Sequence, residues 1–255
     1  MKKFLFFSLI ALAALTVSCK KDNKDIIDDE PDAPKVERFA QLRDKWDWWD
    51  FSYNADGKVV KIDRGNGDRV WNFAWNGNNC EVTGKDTYSI ELGSNGMVSK
   101  LTAGSDVRTY TYDANGYLKE VKLGDNVVAT ITVTNGNITK VVEGEDTWDY
   151  TYGSEDNSKG YQIWYQDRDG NIIPSWHRFL IETGMFGKAS AKLPTSYSKN
   201  GTKVADYVIE TSTGAQEAEK EEDEKAKASY LEGNYTIVTG DVNEDEIHKY
   251  IWAEL

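Results

Sequence analysis

Thiol, disulfide and metal chemistry have little to work with in this chain, which holds two cysteines and two histidines among 255 residues. Paired-cysteine and His-Glu-x-x-His metal spacings are missing, as are a Gly-x-Ser-x-Gly elbow and a phosphate loop. Basic residues are in deficit too. Thirty Lys and Arg face 43 Asp and Glu, a formal charge of −13. Such a surface repels nucleic acid and anionic lipid headgroups, so neither is expected as a partner; cationic partners and divalent ions stay open. Beyond the N-terminus no segment reaches about eighteen apolar residues, so no transmembrane helix is expected there.

The N-terminus itself is different. Lys2 and Lys3 form a basic head, and Phe4 to Val17 form an apolar run of about fourteen residues, the length of a signal-peptide core and short of a membrane span. The run ends Leu15-Thr16-Val17-Ser18-Cys19, which resembles a bacterial lipobox. That resemblance implies a signal peptide over 1–18, cleavage after Ser18, and lipidation of Cys19 (palmitate among the acyl chains), with the protein held on a membrane through that lipid. Loss of Lys2 and Lys3 takes the formal charge from −13 to about −15. Cys80 is then the one remaining cysteine, so no intramolecular disulfide can form in the mature chain. No His, Lys or Arg adjoins Cys80 in sequence to lower its pKa, and it reads as a small strand residue.

Residues 19–37 are charged, hold Pro31 and Pro34, and lack aromatics. They read as a flexible acidic tether, with a random-coil span on the order of 25 Å. Acidic residues near the lipidated cysteine resemble the surface-export signals of Bacteroidota lipoproteins, although Lys20 and Lys21 come first. The expected location is the outer membrane, exposed at the cell surface or facing the periplasm.

From about residue 46 to 160 a pattern recurs every twenty residues. Phe51-Ser52-Tyr53-Asn54-Ala55-Asp56-Gly57 parallels Tyr110-Thr111-Tyr112-Asp113-Ala114-Asn115-Gly116. Shorter versions end at Gly77, Gly96 and Gly136, and Trp148-Asp149-Tyr150-Thr151-Tyr152 begins another. Aromatic-polar alternation is the signature of a strand with one buried face, and Asn-Gly and Asp-Gly tolerate the positive φ of tight hairpins. Each period is one hairpin, with strands of five to eight residues. Six in series predict an antiparallel meander of about a dozen or more strands, which must curl or be covered because a flat open sheet would expose an apolar face. The class is all-β, barrel-like and soluble, because the strands are short and their polar face carries Lys, Glu, Thr and Asn.

The Tyr-Asp-x-x-Gly-x-Leu hairpins and Gly187-Lys-Ala-Ser-Ala-Lys-Leu-Pro-Thr-Ser196 are similar to domains of unknown function in Bacteroidota lipoproteins with a porin-like fold. The resemblance covers roughly residues 38–255, read as a single domain, and implies a fold and no chemistry.

After the hairpins, Ile172 to Gly184 reads as a short helix with Pro174 in its first turn, Gly184 as its stop and a stripe of Trp176, Phe179 and Leu180. Strands resume at Thr195–Ser198, Ala205–Thr211, Tyr235–Thr239 and Lys249–Trp252. Residues 215–229 form a charged helical or disordered excursion.

Chemistry is harder to find. His177 and His248 read as structural or surface residues. Asp167-Arg168-Asp169-Gly170-Asn171 and Gly240-Asp241-Val242-Asn243-Glu244-Asp245 open like calcium loops, but the first has Arg178 at its twelfth position, and the second has Glu246 where glycine is wanted and Trp252 at its twelfth. Acidic turns explain both. No catalytic residue, metal ligand or cofactor is assigned. Trp46, Trp48 and Trp49 cluster before the first hairpin. Adjacent Trp48 and Trp49 point to opposite faces of an extended segment, so the cluster is the best candidate contact surface. The functional expectation is a binding or scaffold module for a glycan or protein. The alternatives are a two-carboxylate glycan hydrolase, which needs a pocket with carboxyl groups about 5–10 Å apart, and a purely structural envelope component.

Overall fold

The structure, a computed structural model, describes residues 37–43, 48–65, 67, 69–165, 171–212, 235–239 and 247–254. The signal peptide, nearly all of the tether, Trp46, the charged excursion at 215–229 and most of both calcium-like segments lie outside them.

Seventeen strands are present among the described residues. They are β1 (Glu37–Arg43), β2 (Trp48–Tyr53), β3 (Val59–Arg64), β4 (Arg69–Asn76), β5 (Asn79–Gly84), β6 (Tyr88–Leu92), β7 (Val98–Ala103), β8 (Asp106–Tyr112), β9 (Leu118–Leu123), β10 (Asn126–Thr134), β11 (Asn137–Glu143), β12 (Asp146–Asp156), β13 (Lys192–Lys199), β14 (Thr202–Asp206), β15 (Val208–Ser212), β16 (Tyr235–Thr239) and β17 (Ile247–Glu254). Antiparallel pairing runs without interruption from β1 through β14. From the other edge of β1 it continues to β17, β16 and β15. Among the described residues no ladder joins β14 to β15. The chain itself does, through Tyr207, whose N–H donates to Thr195 O at 2.9 Å. The sheet therefore curls into a barrel whose hydrogen bonds do not complete the circuit.

The hairpin glycines adopt the backbone that their turns demand. Gly57, Gly77, Gly96, Gly116 and Gly136 have φ of 76°, 60°, 77°, 89° and 77°. Asn54 and Asp113 organise the turns before Gly57 and Gly116, accepting from the N–H of Lys58 and Tyr117 at 2.9 Å each. The second aromatic of the triplet has its own task. Tyr53, Tyr112 and Tyr152 donate from Oη to the carbonyls of Phe39, Val98 and Ile138 at 2.7, 2.8 and 2.6 Å. Each acceptor lies fourteen residues back, so a half-buried ring covers the strand end while its hydroxyl satisfies a carbonyl. Trp75 does the same from Nε1 to Val59 O at 2.7 Å.

The first aromatic points inward. Phe51, Phe73, Tyr110 and Tyr150 are buried in one cluster with Ile62, Trp71, Val82, Ile90, Leu101, Val121 and Val141. What they pack against is the segment between β12 and β13. Ile163, Trp164, Tyr165, Ile172, Ile173, Phe179, Leu180 and Phe186 of that segment are all buried in the same cluster. Each such side chain contributes about 1.5–3 kcal/mol relative to exposure. Hydrogen bonds orient the plug: Tyr110 Oη donates to Ile172 O at 2.9 Å, Tyr150 Oη to Trp164 O at 2.7 Å, and Arg108 Nε to Asn171 O at 3.1 Å.

The expected helix takes a different form. Ser175–Thr183 is 3₁₀, kinked at His177 (φ −119°), with Pro174 just before it and Gly184 closing it at φ 74°. Nine residues inside a crowded barrel follow the space available, and the tighter winding allows the kink.

The outward face carries charge. Lys140 pairs with Asp149 at 3.2 Å across β11 and β12, Lys199 with Asp146 at 2.8 Å across β13 and β12, and Lys100 with Glu91 across β7 and β6. A lysine facing lipid near the bilayer midplane costs about 2–4 kcal/mol. These charged pairs suit contact with water.

A polar cavity at the barrel rim

One end of the barrel is the rim formed by the glycine turns. There the start of β1, the end of β2 and the residues flanking the plug surround a cavity of about 350 Å³. Its polar lining comes from Arg38, Tyr53, Lys159, Gln162, Glu182, Thr183 and Lys188, and Met97 gives it apolar surface. Alternating strand geometry explains the first two: Arg38 precedes the inward Phe39 on β1, and Tyr53 ends β2. Gly184 closes the 3₁₀ segment beside Glu182. Gly187 (φ 105°) approaches the β8–β9 turn so closely that a Cβ there would lie 3.0 Å from Gly116 O. Lys188 N–H donates to that same carbonyl at 3.0 Å.

The floor is fixed by Gln162, which is 3% exposed. Its Nε2 donates to Gly187 O at 3.0 Å, and its Oε1 accepts from Trp164 Nε1 at 2.7 Å. Above it sits Glu182. Burial pushes its carboxyl up to about 8, and a long contact from Gln162 N–H, at 3.5 Å, offsets little of this. Tyr53 lies between Glu182 and Arg38. Burial raises its phenol well above the ordinary range, Arg38 opposes the rise, and Glu182 adds to it. The Arg38 guanidinium rests 5.7 Å from the Tyr53 ring centroid and fills the space where a Cβ on Gly57 would be.

The raised Glu182 pKa carries a sign for stability. The folded state keeps a proton that the unfolded chain releases near its ordinary value of 4.5. Stability from this group is therefore full below that value, falls as pH rises toward 8, and is flat beyond. Because water reaches the cavity, the loss is about 2 kcal/mol rather than the full linkage value. Denaturant titrations of wild type and Glu182→Gln across this window should diverge, the variant gaining as pH rises. Parallel curves would refute the assignment.

Of the sequence-predicted site residues, Trp48 and Trp49 lie outside this lining, and Cys19 and Trp46 fall outside the described residues. Trp48 is half-buried on β2. Trp49 is 4% exposed, with Arg64 5.0 Å above its ring, so it has no free face for a ligand on the outer surface. Cys80 is a free, buried thiol on β5, pushed up to about 12 mainly by burial and further by Glu81, which leaves it un-ionised at neutral pH. His177 is buried at the other end of the 3₁₀ segment, its Nε2 3.5 Å from Asp86, which also accepts from Trp71 Nε1 at 3.3 Å. Its pKa is held down by burial, against Asp86 and with Arg108 adding. It works as packing between plug and barrel. Among the described residues no three His, Cys, Asp or Glu gather as metal ligands. The cavity lining holds one carboxyl, Glu182, where two-carboxylate hydrolysis needs a pair. Sequence reasoning missed this site because Arg38 and Lys188 stand 150 positions apart. The glycines at 184 and 187 were its one local trace.

A curled antiparallel meander with a plugged interior and polar rim defines a porin-like β architecture. The chain is similar to a porin-like protein from Bacteroides uniformis at 13% sequence identity, with a TM-score of 0.54 over 85% of this chain and 96% of that one. At that identity the likeness concerns the fold. No protein-family model matches the chain, and no curated protein does.

Proposed function

We propose that this is an envelope lipoprotein held in the outer membrane by lipid on Cys19, whose barrel is a binding module with the rim cavity as its ligand site. The observation that carries this reading is the contrast between a barrel bore filled by the plug and an open polar cavity at one rim. A filled bore does not suit transport through the barrel. A cavity of about 350 Å³ falls at the small end of ligand sites, which run about 300–1,000 Å³. The charged outer strands support the anchor: a barrel that faces water needs a lipid to stay at a membrane. A polar cavity with an apolar edge at Met97 suits a glycan unit better than a flat protein surface.

Two measurements test it. Cells fed a clickable palmitate analogue should label the wild-type chain and leave Cys19→Ala unlabelled. The full chain, purified in detergent, should bind one class of sugar on a glycan array, and Arg38→Ala should weaken that signal at least about tenfold. An array without binders would overturn the binding reading; an unlabelled wild type would overturn the anchor.

A further inference from the structure

We propose that the rim cavity takes a sugar acid, with Arg38 and Lys188 meeting its carboxylate and Glu182 donating an acid O–H to it. This rests on the reading of the cavity as a glycan site and adds the charge of the ligand and a proton requirement.

The electrostatics of the cavity run against the rest of the molecule. The whole chain carries −13, yet the lining of this one cavity includes the cations Arg38 and Lys188. Among the described residues no carboxylate pairs with Arg38, whose guanidinium lies over Tyr53 and against Gly57. Lys188 is exposed at the mouth, has no acidic partner among the described residues, and is held in place by its backbone bond to Gly116. Glu182 has no cation close enough to hold it ionised, and its raised pKa keeps it in the acid form at neutral pH. The groups facing it are Arg38 from β1, Tyr53 from β2, Lys159 and Gln162 from the chain after β12, and Lys188 from the chain before β13. Tyr53 donates its proton to Phe39 O, so Glu182 supplies the acid O–H among the lining residues.

An arginine, a lysine and a carboxylic acid make a matched set for a carboxylate. The cations supply charge-assisted bonds, and an O–H to a carboxylate oxygen is among the shortest and strongest of hydrogen bonds. Met97, half-buried in the lining, offers apolar surface on which the C–H face of a pyranose can rest. This separates a sugar acid from a small free carboxylate, which would leave that surface bare.

The test is calorimetric titration of the detergent-purified full chain with glucuronate, glucose and acetate at about pH 7 and about pH 9.5. Glucuronate should bind at the lower pH at least about tenfold more tightly than glucose or acetate. Its affinity should fall about tenfold at the higher pH as Glu182 ionises. Glu182→Gln, which keeps an N–H donor and cannot ionise, should bind at the lower pH within about threefold of wild type and lose most of that fall. Lys188→Ala, at an exposed position that leaves folding intact, should weaken glucuronate about tenfold at the lower pH. Equal binding of glucose would overturn the acid requirement while leaving the cavity a glycan site. Equal binding of acetate would overturn the sugar. A pH fall of the same size in Glu182→Gln would overturn the proton requirement. Failure of glucuronate alongside a positive glycan array overturns this inference alone; failure of both removes the glycan reading with it.

Discussion

Trp71→Ala should lower the unfolding free energy by about 3–5 kcal/mol, the range for removing a large aromatic from a packed core. Trp71 is 2% exposed on β4. Its ring lies 4.8 Å from Phe179 and 6.4 Å from His177, both on the 3₁₀ segment of the plug. Its Nε1 donates to Asp86, the carboxylate nearest His177. One side chain thus joins barrel wall, plug and turn. Truncation opens a cavity on both layers and strips Asp86 of a donor. Urea unfolding followed by circular dichroism should show a lower midpoint with little change in slope. Trp71→Phe should keep roughly half of the loss at bay, since area returns without the donor. A shift below about 1 kcal/mol for the alanine variant would mean that the plug does not pack on the wall as described.

Gly84→Ala should cost about 3 kcal/mol or more, through the backbone alone. Gly84 ends β5 opposite Trp71 with φ 127°, where side chains other than glycine's are strained. A Cβ there would sit 2.0 Å from Val70 O. That carbonyl also accepts from Lys85 N–H at 2.9 Å, so it cannot move aside without breaking the turn. Gly77 is the control. Its φ is 60° and nothing lies within 4 Å of its Cβ position, so Gly77→Ala should cost about 1–2 kcal/mol. Equal midpoints for the two variants would contradict the close approach at Gly84. The two large predictions share a neighbourhood, so Trp71→Ala and Gly84→Ala together should deviate from additivity.

The hairpins were legible because their information is local. Phe51, Tyr53 and Gly57 lie within seven residues, and strand alternation, ring and turn must agree over that distance. The later strands at 192–199 and 235–239 were legible for the same reason. β1 was missed: Glu37–Arg43 has no turn signal at either end, and it becomes a strand because β2 and β17 lie on both its edges. The residues after Pro174 announced a helix by apolar spacing and a glycine stop. The barrel bore imposed the 3₁₀ form and the kink at His177.

Local geometry was legible at the tryptophan pair as well. Trp48 and Trp49 are adjacent and aromatic, and extended geometry does send them to opposite faces. Burial of Trp49 beneath Arg64 follows from the sheet's curvature, which no dipeptide reports.

The sequence by itself determined an all-β meander, its twenty-residue step, its turn glycines and the split of each strand into an apolar and a polar face. Those features follow from φ preferences and alternation, which act over a few residues. Tertiary structure alone decided that the apolar face encloses the segment between β12 and β13, and that Arg38, Tyr53, Glu182 and Lys188 meet at one rim. Curling the sheet brings residues 150 positions apart into the lining of one cavity. It also withdraws water from Glu182, whose raised pKa belongs to the cavity and to no motif.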